Sequence, residues 1–110
     1  MTDIVIFRNK KQEVVKYTVT GHTGFNEAGT DIVCSAVSCA AMTALNGLTD
    51  VLGLTVGYEI ADGSVECVLP EELEPEERYG AQVLLESMVL TMRDLAKQYE
   101  TYISVTELEV

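Results

Sequence analysis

The segment from Gly21 to Ser38, GHTGFNEAGTDIVCSAVS, holds the residues of this chain that could do chemistry. It contains the single histidine, His22, at the end of a predicted strand, and Cys34, twelve residues later. A thiolate in contact with an imidazole is the nucleophile–base pair of cysteine proteases. The glycine-rich loop between them can fold back onto the start of a helix, so the spacing permits this pair without requiring it.

Cys34 is expected three residues inside a helix that begins near Ile32. That position lies in the positive end of the helix dipole, which favours the thiolate over the thiol. Without further evidence, however, a cysteine in a helix of small residues is more often a buried hydrophobe than a nucleophile. A single histidine in a loop is likewise more often solvated than catalytic. The spacing therefore leaves both a reactive and an inert Cys34 open.

The other two cysteines are predicted to be buried, inert hydrophobes. Cys39 lies deep in the first predicted helix, and Cys67 is expected to face inward with Val65 and Leu69. Zinc fits poorly, because Cys34 and Cys39 would point about 140° apart on a helix and the chain has no Cys-x-x-Cys pair. We therefore expect neither a metal nor another cofactor.

Apolar periodicity predicts the elements that must position these residues. The expected order is strand–strand–helix–strand–strand–helix–strand, which is an α+β domain with a mainly antiparallel five-stranded sheet and two helices. The predicted strands cover about 4–7, 15–20, 54–60, 65–69 and 102–108, and the predicted helices about 32–52 and 75–99. The pair Asp62-Gly63 predicts a tight turn between the third and fourth strands.

The ends of both predicted helices carry specific signals. Thr30 or Asp31 is suited to cap the first helix, and Gly53 to end it. Pro75 is suited to begin the second helix. In that helix Val83, Val89 and Leu90 widen the apolar arc beyond one face, which indicates a second packing surface.

Length and charge limit the classes of protein. The chain has 110 residues, which suits one domain spanning 1–110, and its net charge of −11 argues against direct nucleic-acid binding. Such an acidic surface serves solubility or attracts a basic partner.

The uncharged stretch from Ile32 to Thr49 contains six polar or glycine residues, so it predicts a buried helix and not a membrane span. Three cysteines without an export signal predict reduced thiols in the cytoplasm.

The chain contains a pattern in three parts: Gly21-His22, then Gly29-x-Asp31-Ile32-Val33-Cys34, then Ser38. This pattern resembles the signature of the bacterial ribosomal-processing cysteine proteases, the Prp family. The chain length, the element order, the acidic connection at 70–77 and the closing strand are similar too. The resemblance implies a cytoplasmic, homodimeric endopeptidase. It implies a substrate as well, the N-terminal extension of large-subunit ribosomal protein twenty-seven, cleaved after an aromatic, apolar segment.

On this basis we assign Cys34 as the nucleophile and His22 as the general base and later the general acid. The backbone N–H of Cys34 is expected to stabilise the oxyanion. Asp31 either caps the helix or orients His22, and we favour the cap because a carboxylate beside the thiol would oppose its ionisation. Ser38 lies one turn after Cys34 and either forms a hydrogen bond near the site or packs the helix.

The loop at 21–30 is expected to move, with Gly24 and Gly29 supplying freedom. Phe25 is either a lid contact for an apolar substrate or an anchor that holds the loop down. Two other classes of protein remain as alternatives. One is a non-catalytic acidic module that binds a basic ribosomal protein. The other is a thiol redox protein, which is disfavoured because Cys34 has no resolving cysteine at close spacing.

Overall fold

A computed structural model describes residues 1–21, 28–61 and 63–110, with the backbone alone at 28–31. The elements follow the predicted order. They are β1 (Thr2–Arg8), β2 (Val14–Thr20), α1 (Ala28–Asn46), β3 (Gly57–Ala61), β4 (Ser64–Val68), α2 (Pro75–Gln98) and β5 (Ile103–Glu109). A π-helical turn, Gly47–Val51, continues α1.

The five strands form one sheet in the spatial order β3-β4-β2-β1-β5. The pairs β1–β2, β2–β4 and β3–β4 are antiparallel, and β1–β5 is parallel. The prediction of a mainly antiparallel α+β domain is therefore confirmed. The third strand is shorter than predicted, because it begins at Gly57, and the buried residues Leu54 and Val56 precede it outside the sheet.

The core lies between one face of the sheet and the two helices. Alternation along β1 buries Ile4 and Ile6, whose partners across β2 are Val19 and Tyr17. The Tyr17 hydroxyl donates a hydrogen bond of 2.8 Å to the carbonyl of Ala41, which fixes α1 on the sheet. Burial raises the pKa of this hydroxyl above its usual range.

Cys67 occupies the next strand of the same core layer, opposite Tyr17. It is buried with Val65 and Leu69, as predicted. Burial raises the pKa of the Cys67 thiol to about 11, so the thiol is protonated at neutral pH. The prediction of an inert Cys67 agrees with this environment.

The start of α1 differs from the prediction. The helix begins at Ala28, four residues before Ile32, so neither Thr30 nor Asp31 is at the capping position and the predicted cap is wrong. Gly29 likewise belongs to the first turn of α1 and not to the loop. The start of α1 was not predicted correctly because its first residues are small or polar, and neither a Pro nor an apolar repeat marks the boundary.

The end of α1 is close to the prediction. The helical segment ends at Val51, and Gly53 follows with a positive φ of 70°, the backbone conformation for which glycine is suited. Residues 32–51 are long and apolar enough to cross a membrane by composition alone. In the folded domain, however, Val33, Val37 and Leu48 of this stretch are fully packed in the core.

The second helix follows its sequence signals closely. It begins at Pro75, and the N–H of Glu74 donates a hydrogen bond of 2.8 Å to the Glu77 carboxylate. Leu85, Met88 and Met92 face the core.

The wide apolar arc of α2 divides between the core and the surface. Val89 is buried, whereas Tyr79, Val83 and Leu90 are exposed, Tyr79 at 74%. These three exposed residues lie four and seven positions apart, so they form a stripe on one helix face. We call them the α2 stripe.

An ion-pair network ties β1 to β5 and α2. Arg8, whose side chain is 11% exposed, donates two hydrogen bonds of 2.7 and 2.9 Å to Glu86 and one of 2.9 Å to Glu107. Arg93 donates to the same Glu107 carboxylate at 2.6 Å. Hydrogen bonds from Arg93, and then from Arg8, lower the pKa of Glu107.

We expect Arg8→Met to lower the free energy of unfolding at pH 7 by about 1–2 kcal/mol, because Glu86 loses its partner cation while Glu107 keeps its ion pair with Arg93. Because the pKa of Glu107 is lower in the folded state than in the unfolded state, its ionised carboxylate stabilises the fold at pH values above the ordinary pKa of Glu. This stabilisation is lost as the pH falls through the folded-state pKa of Glu107. The difference from wild type should therefore shrink below about pH 4. Urea unfolding at pH 7 and pH 3 measures both effects.

Arg78→Met is the matched control. Its guanidinium lies 3.5 Å from Glu13 and is far more exposed than that of Arg8, so we expect a loss of about 0.5 kcal/mol or less. Equal losses for the two variants would contradict a stabilising role for the Arg8 network.

Candidate active site

A cleft of about 310 Å³ opens where four strands meet the first half of α1. Its floor follows one row of the sheet, in which Thr20 pairs with Ser64, and Ser64 with Ala61. The α1 residues at the cleft are Cys34, Val37, Ser38 and Met42, and Thr2, Val19, Ile60, Gly63 and Val65 complete the lining. The described lining residues are mostly apolar or hydroxylic, and Cys34 is the titratable one among them.

Cys34 is half-buried and lines this open cleft. Its Sγ lies 3.7 Å from the Oγ1 of Thr2, the first residue of β1. A nucleophilic thiol has to be accessible to substrate, whereas a structural one is sealed in the core. Accessibility distinguishes Cys34 from the buried Cys67.

Cys34 is the seventh residue of α1 and not the third. The influence of the helix dipole is concentrated in the first turn, so its support for a thiolate is weaker here than predicted. The backbone N–H of Cys34 also lies beyond the four free N–H groups at the start of an α-helix. The predicted use of this N–H as an oxyanion donor is therefore wrong.

Gly21 is the last described residue before His22. It has a φ of +90°, and a Cβ at this position would lie 2.5 Å from the carbonyl oxygen of Met1. Only glycine fits such a close approach of two backbones. The end of β2 is thereby held against the start of β1, beside Thr2 and hence beside Cys34.

Several predicted site residues lie outside the described part of the chain. They are His22, Gly24 and Phe25, while for Asp31 the structure describes only the backbone. The roles assigned to His22, Gly24 and Phe25 remain predictions, and so does the role of Asp31 in orienting His22.

Two predictions on α1 can be judged from exposure. Ser38 is exposed and lines the cleft one turn after Cys34, so the interpretation that it packs the helix is wrong. Cys39 is exposed, which contradicts its prediction as a buried thiol. It faces away from the cleft, into a shallow groove against α2 that Leu84 and Met88 also line.

A larger groove of about 500 Å³ lies on the molecule near Phe7, Lys16 and Arg78. Among the described residues its lining contains no cysteine, serine, threonine or histidine, so these supply no thiol or hydroxyl nucleophile. Within 1–21, 32–61 and 63–110, no three His, Cys, Asp or Glu side chains are close enough to hold a metal ion.

Thr2 is the site residue that sequence analysis missed. It precedes the apolar run of β1 and matches no motif, so no local signal connects it with a cysteine thirty-two residues away. Ile60 was likewise predicted only as a strand residue, yet it lines the cleft with its side chain 51% exposed.

Comparison with known proteins agrees with this geometry. The family model of the cysteine protease Prp matches residues 1–104. The chain belongs to the Prp family of cysteine proteases. The ribosomal processing cysteine protease Prp of Bacillus subtilis (strain 168) is 30% identical over 108 residues, which cover 96% of each chain. The resemblance and the assignment as a cysteine protease are thus confirmed.

Solved structures share the Prp fold. SMU.848 from Streptococcus mutans superposes with a TM-score of 0.86 at 26% identity, over 100% of this chain and 96% of the other. The essential ribosomal processing protease Prp from S. aureus, in complex with a substrate peptide, gives a TM-score of 0.85 at 19% identity, over 97% and 99% of the two chains. Because the S. aureus protein is only 19% identical, its similarity to this chain supports the fold alone.

Proposed function

We propose that this protease removes the N-terminal extension of large-subunit ribosomal protein twenty-seven, cutting after an aromatic, apolar segment. Cys34 is the nucleophile, and His22 is the general base and then the acid to the leaving amine. The observation that carries the proposal is the half-buried Cys34 thiol, open to an apolar cleft at the strand end that leads into His22.

The path of the backbone supports the pairing of these two residues. Gly21 lies against Met1, and the next residue after Met1, Thr2, contacts Cys34. His22 follows Gly21 directly, and one trans peptide spans about 3.8 Å between Cα atoms. The chain therefore enters the His22 segment next to the strand end that contacts the thiol.

The lining of the cleft supports an apolar substrate. Val19, Val37, Met42 and Val65 present aliphatic or thioether side chains to it, and Ile60 stands exposed at its edge. Burying an aromatic or aliphatic side chain of a peptide against these groups is favourable in proportion to the apolar area removed from water. Phe25 is an additional lid contact in this proposal.

The surface supports the proposed partners. A net charge of −11 attracts a basic ribosomal protein. The α2 stripe offers an apolar face for a second subunit, in agreement with a homodimer. A substrate of this kind places the enzyme in the cytoplasm.

Incubation of the purified protein with ribosomal protein twenty-seven carrying its extension, followed by mass spectrometry, tests the proposal. We expect one shortened product, whose mass locates the cut after the aromatic, apolar segment. A control substrate has charged residues in place of that segment and should stay intact. Tight binding with no product would reject the proposed cleavage of this substrate and favour a non-catalytic acidic module that binds it.

A further inference from the structure

Thr2 is a polar residue held in the wall of the active-site cleft with 5% of its surface exposed. A hydroxyl on a residue buried to this degree is expected to have a hydrogen-bond partner. Among the described residues, its partner is the Cys34 Sγ at 3.7 Å, a distance within reach of a hydrogen bond to sulfur.

The backbone holds Thr2 firmly in place. Its N–H donates a hydrogen bond of 2.8 Å to the carbonyl of Tyr102, and Thr2 is the partner of Ile103 in the parallel pairing of β1 with β5. The β-branched side chain has few rotamers available in a strand. The position of the hydroxyl relative to α1 is therefore set by the sheet, not by a mobile side chain.

The contact has a different strength in the two states of the sulfur. Beside a thiol, either group donates and both are weak partners. A thiolate has no proton to donate and accepts strongly, so the hydroxyl then donates a charge-assisted hydrogen bond. A hydrogen bond that is stronger to the charged form favours that form.

We propose that Thr2 is a positioning residue for the Cys34 nucleophile, whose hydroxyl donates to the thiolate, stabilises it and aims it into the cleft. The inference rests on the proposed function, in which Cys34 attacks the substrate. The Thr2 hydroxyl would then stabilise the negative charge of the thiolate, which the helix dipole stabilises only weakly at the seventh residue of α1.

The test compares three proteins on a Cys39→Ala background, which removes the exposed second thiol. They are the otherwise unchanged chain, Thr2→Val and Thr2→Ser. Valine keeps the shape of threonine without the hydroxyl, and serine keeps the hydroxyl. Mass spectrometry measures the iodoacetamide labelling rate of Cys34 from pH 5 to 10. Cys67 adds little background at neutral pH because it is buried and protonated.

We expect the midpoint of the labelling profile to move up by about 0.5–1 pH unit in Thr2→Val and to stay near wild type in Thr2→Ser. At neutral pH, kcat/KM for the peptide should fall about 3- to 10-fold in Thr2→Val and recover as the pH is raised. A purely structural role would lower the melting temperature without moving the midpoint. His22 is present in all three proteins, so the comparison isolates the hydroxyl.

An unmoved midpoint in folded Thr2→Val would overturn this inference, even in a fully active enzyme. If Thr2→Val fails to fold, Thr2→Ala removes the same hydroxyl and is measured in its place. Labelling needs no peptide cleavage, so the two proposals fail separately. A shifted midpoint in a protein that never cuts its substrate would reject the proposed function while upholding the bond between Thr2 and the thiolate.

Discussion

Cys34→Ala is expected to reduce kcat for cleavage of the extension peptide by about 10⁴-fold or more. The reason is that a methyl group cannot attack the scissile carbonyl or form the acyl-enzyme. Such a loss corresponds to about 5.4 kcal/mol of transition-state stabilisation at 1.36 kcal/mol for each factor of ten. Quantitative mass spectrometry of the product over a long incubation has the range to measure it.

The remaining two cysteines provide matched controls. Cys39→Ala changes an exposed thiol five residues further along the same helix, so it should leave kcat within about twofold. Cys67→Ala removes a buried thiol from the core, so it should lower stability without abolishing cleavage by the folded protein. Cleavage that survives in Cys34→Ala, with a melting temperature near wild type, would refute Cys34 as the nucleophile.

His22→Ala is expected to lower kcat/KM by about 10²- to 10⁴-fold, the usual contribution of a general acid and base. His22 is the only histidine in the chain, so no neighbouring imidazole can replace it. Without the imidazole, hydroxide has to replace the general base that removes the thiol proton, and its concentration rises with pH. The residual rate of His22→Ala should therefore rise through alkaline pH, where the wild-type profile is already flat or falling.

His22→Gln is the matched variant for this experiment. Glutamine keeps hydrogen-bonding groups but cannot accept and return a proton, so it should be as impaired as alanine. Added imidazole should restore part of the activity of His22→Ala, where the side chain leaves space, more than that of His22→Gln. Full activity of either variant at neutral pH would contradict the proposed base.

Patterns that repeat along the chain predicted most of the fold. Alternation over 15–20 and 65–69 corresponds to β2 and β4, because a strand with one covered face exposes every second side chain. The apolar periodicity of the segment and the Pro75 start predicted α2 nearly to the residue. Inward-facing Cys67 followed from the same alternation.

Boundaries and exposure in α1 were predicted less well. Its N-terminal turns consist of Ala28, Gly29 and polar residues, which carry no helical period, so the predicted start was four residues late. Cys39 was predicted to be buried because it lies deep in the first predicted helix, yet it is exposed, since the core covers the side of α1 that carries Val37 and Ala41. Which face of an almost uniformly apolar helix is covered depends on the elements that pack against it, because apolar residues lie on several sides of the helix.

The sequence by itself determined the order of strands and helices and the burial of Cys67, and it predicts Cys34 and His22 as the protease pair. Only the tertiary structure decided which groups surround the thiol. The antiparallel register of β1 and β2 brings Met1 against Gly21, and the packing of α1 on that edge brings Cys34 against Thr2. Such contacts join residues far apart in the chain, and their cause is the complementary packing of whole elements, which no local spacing encodes.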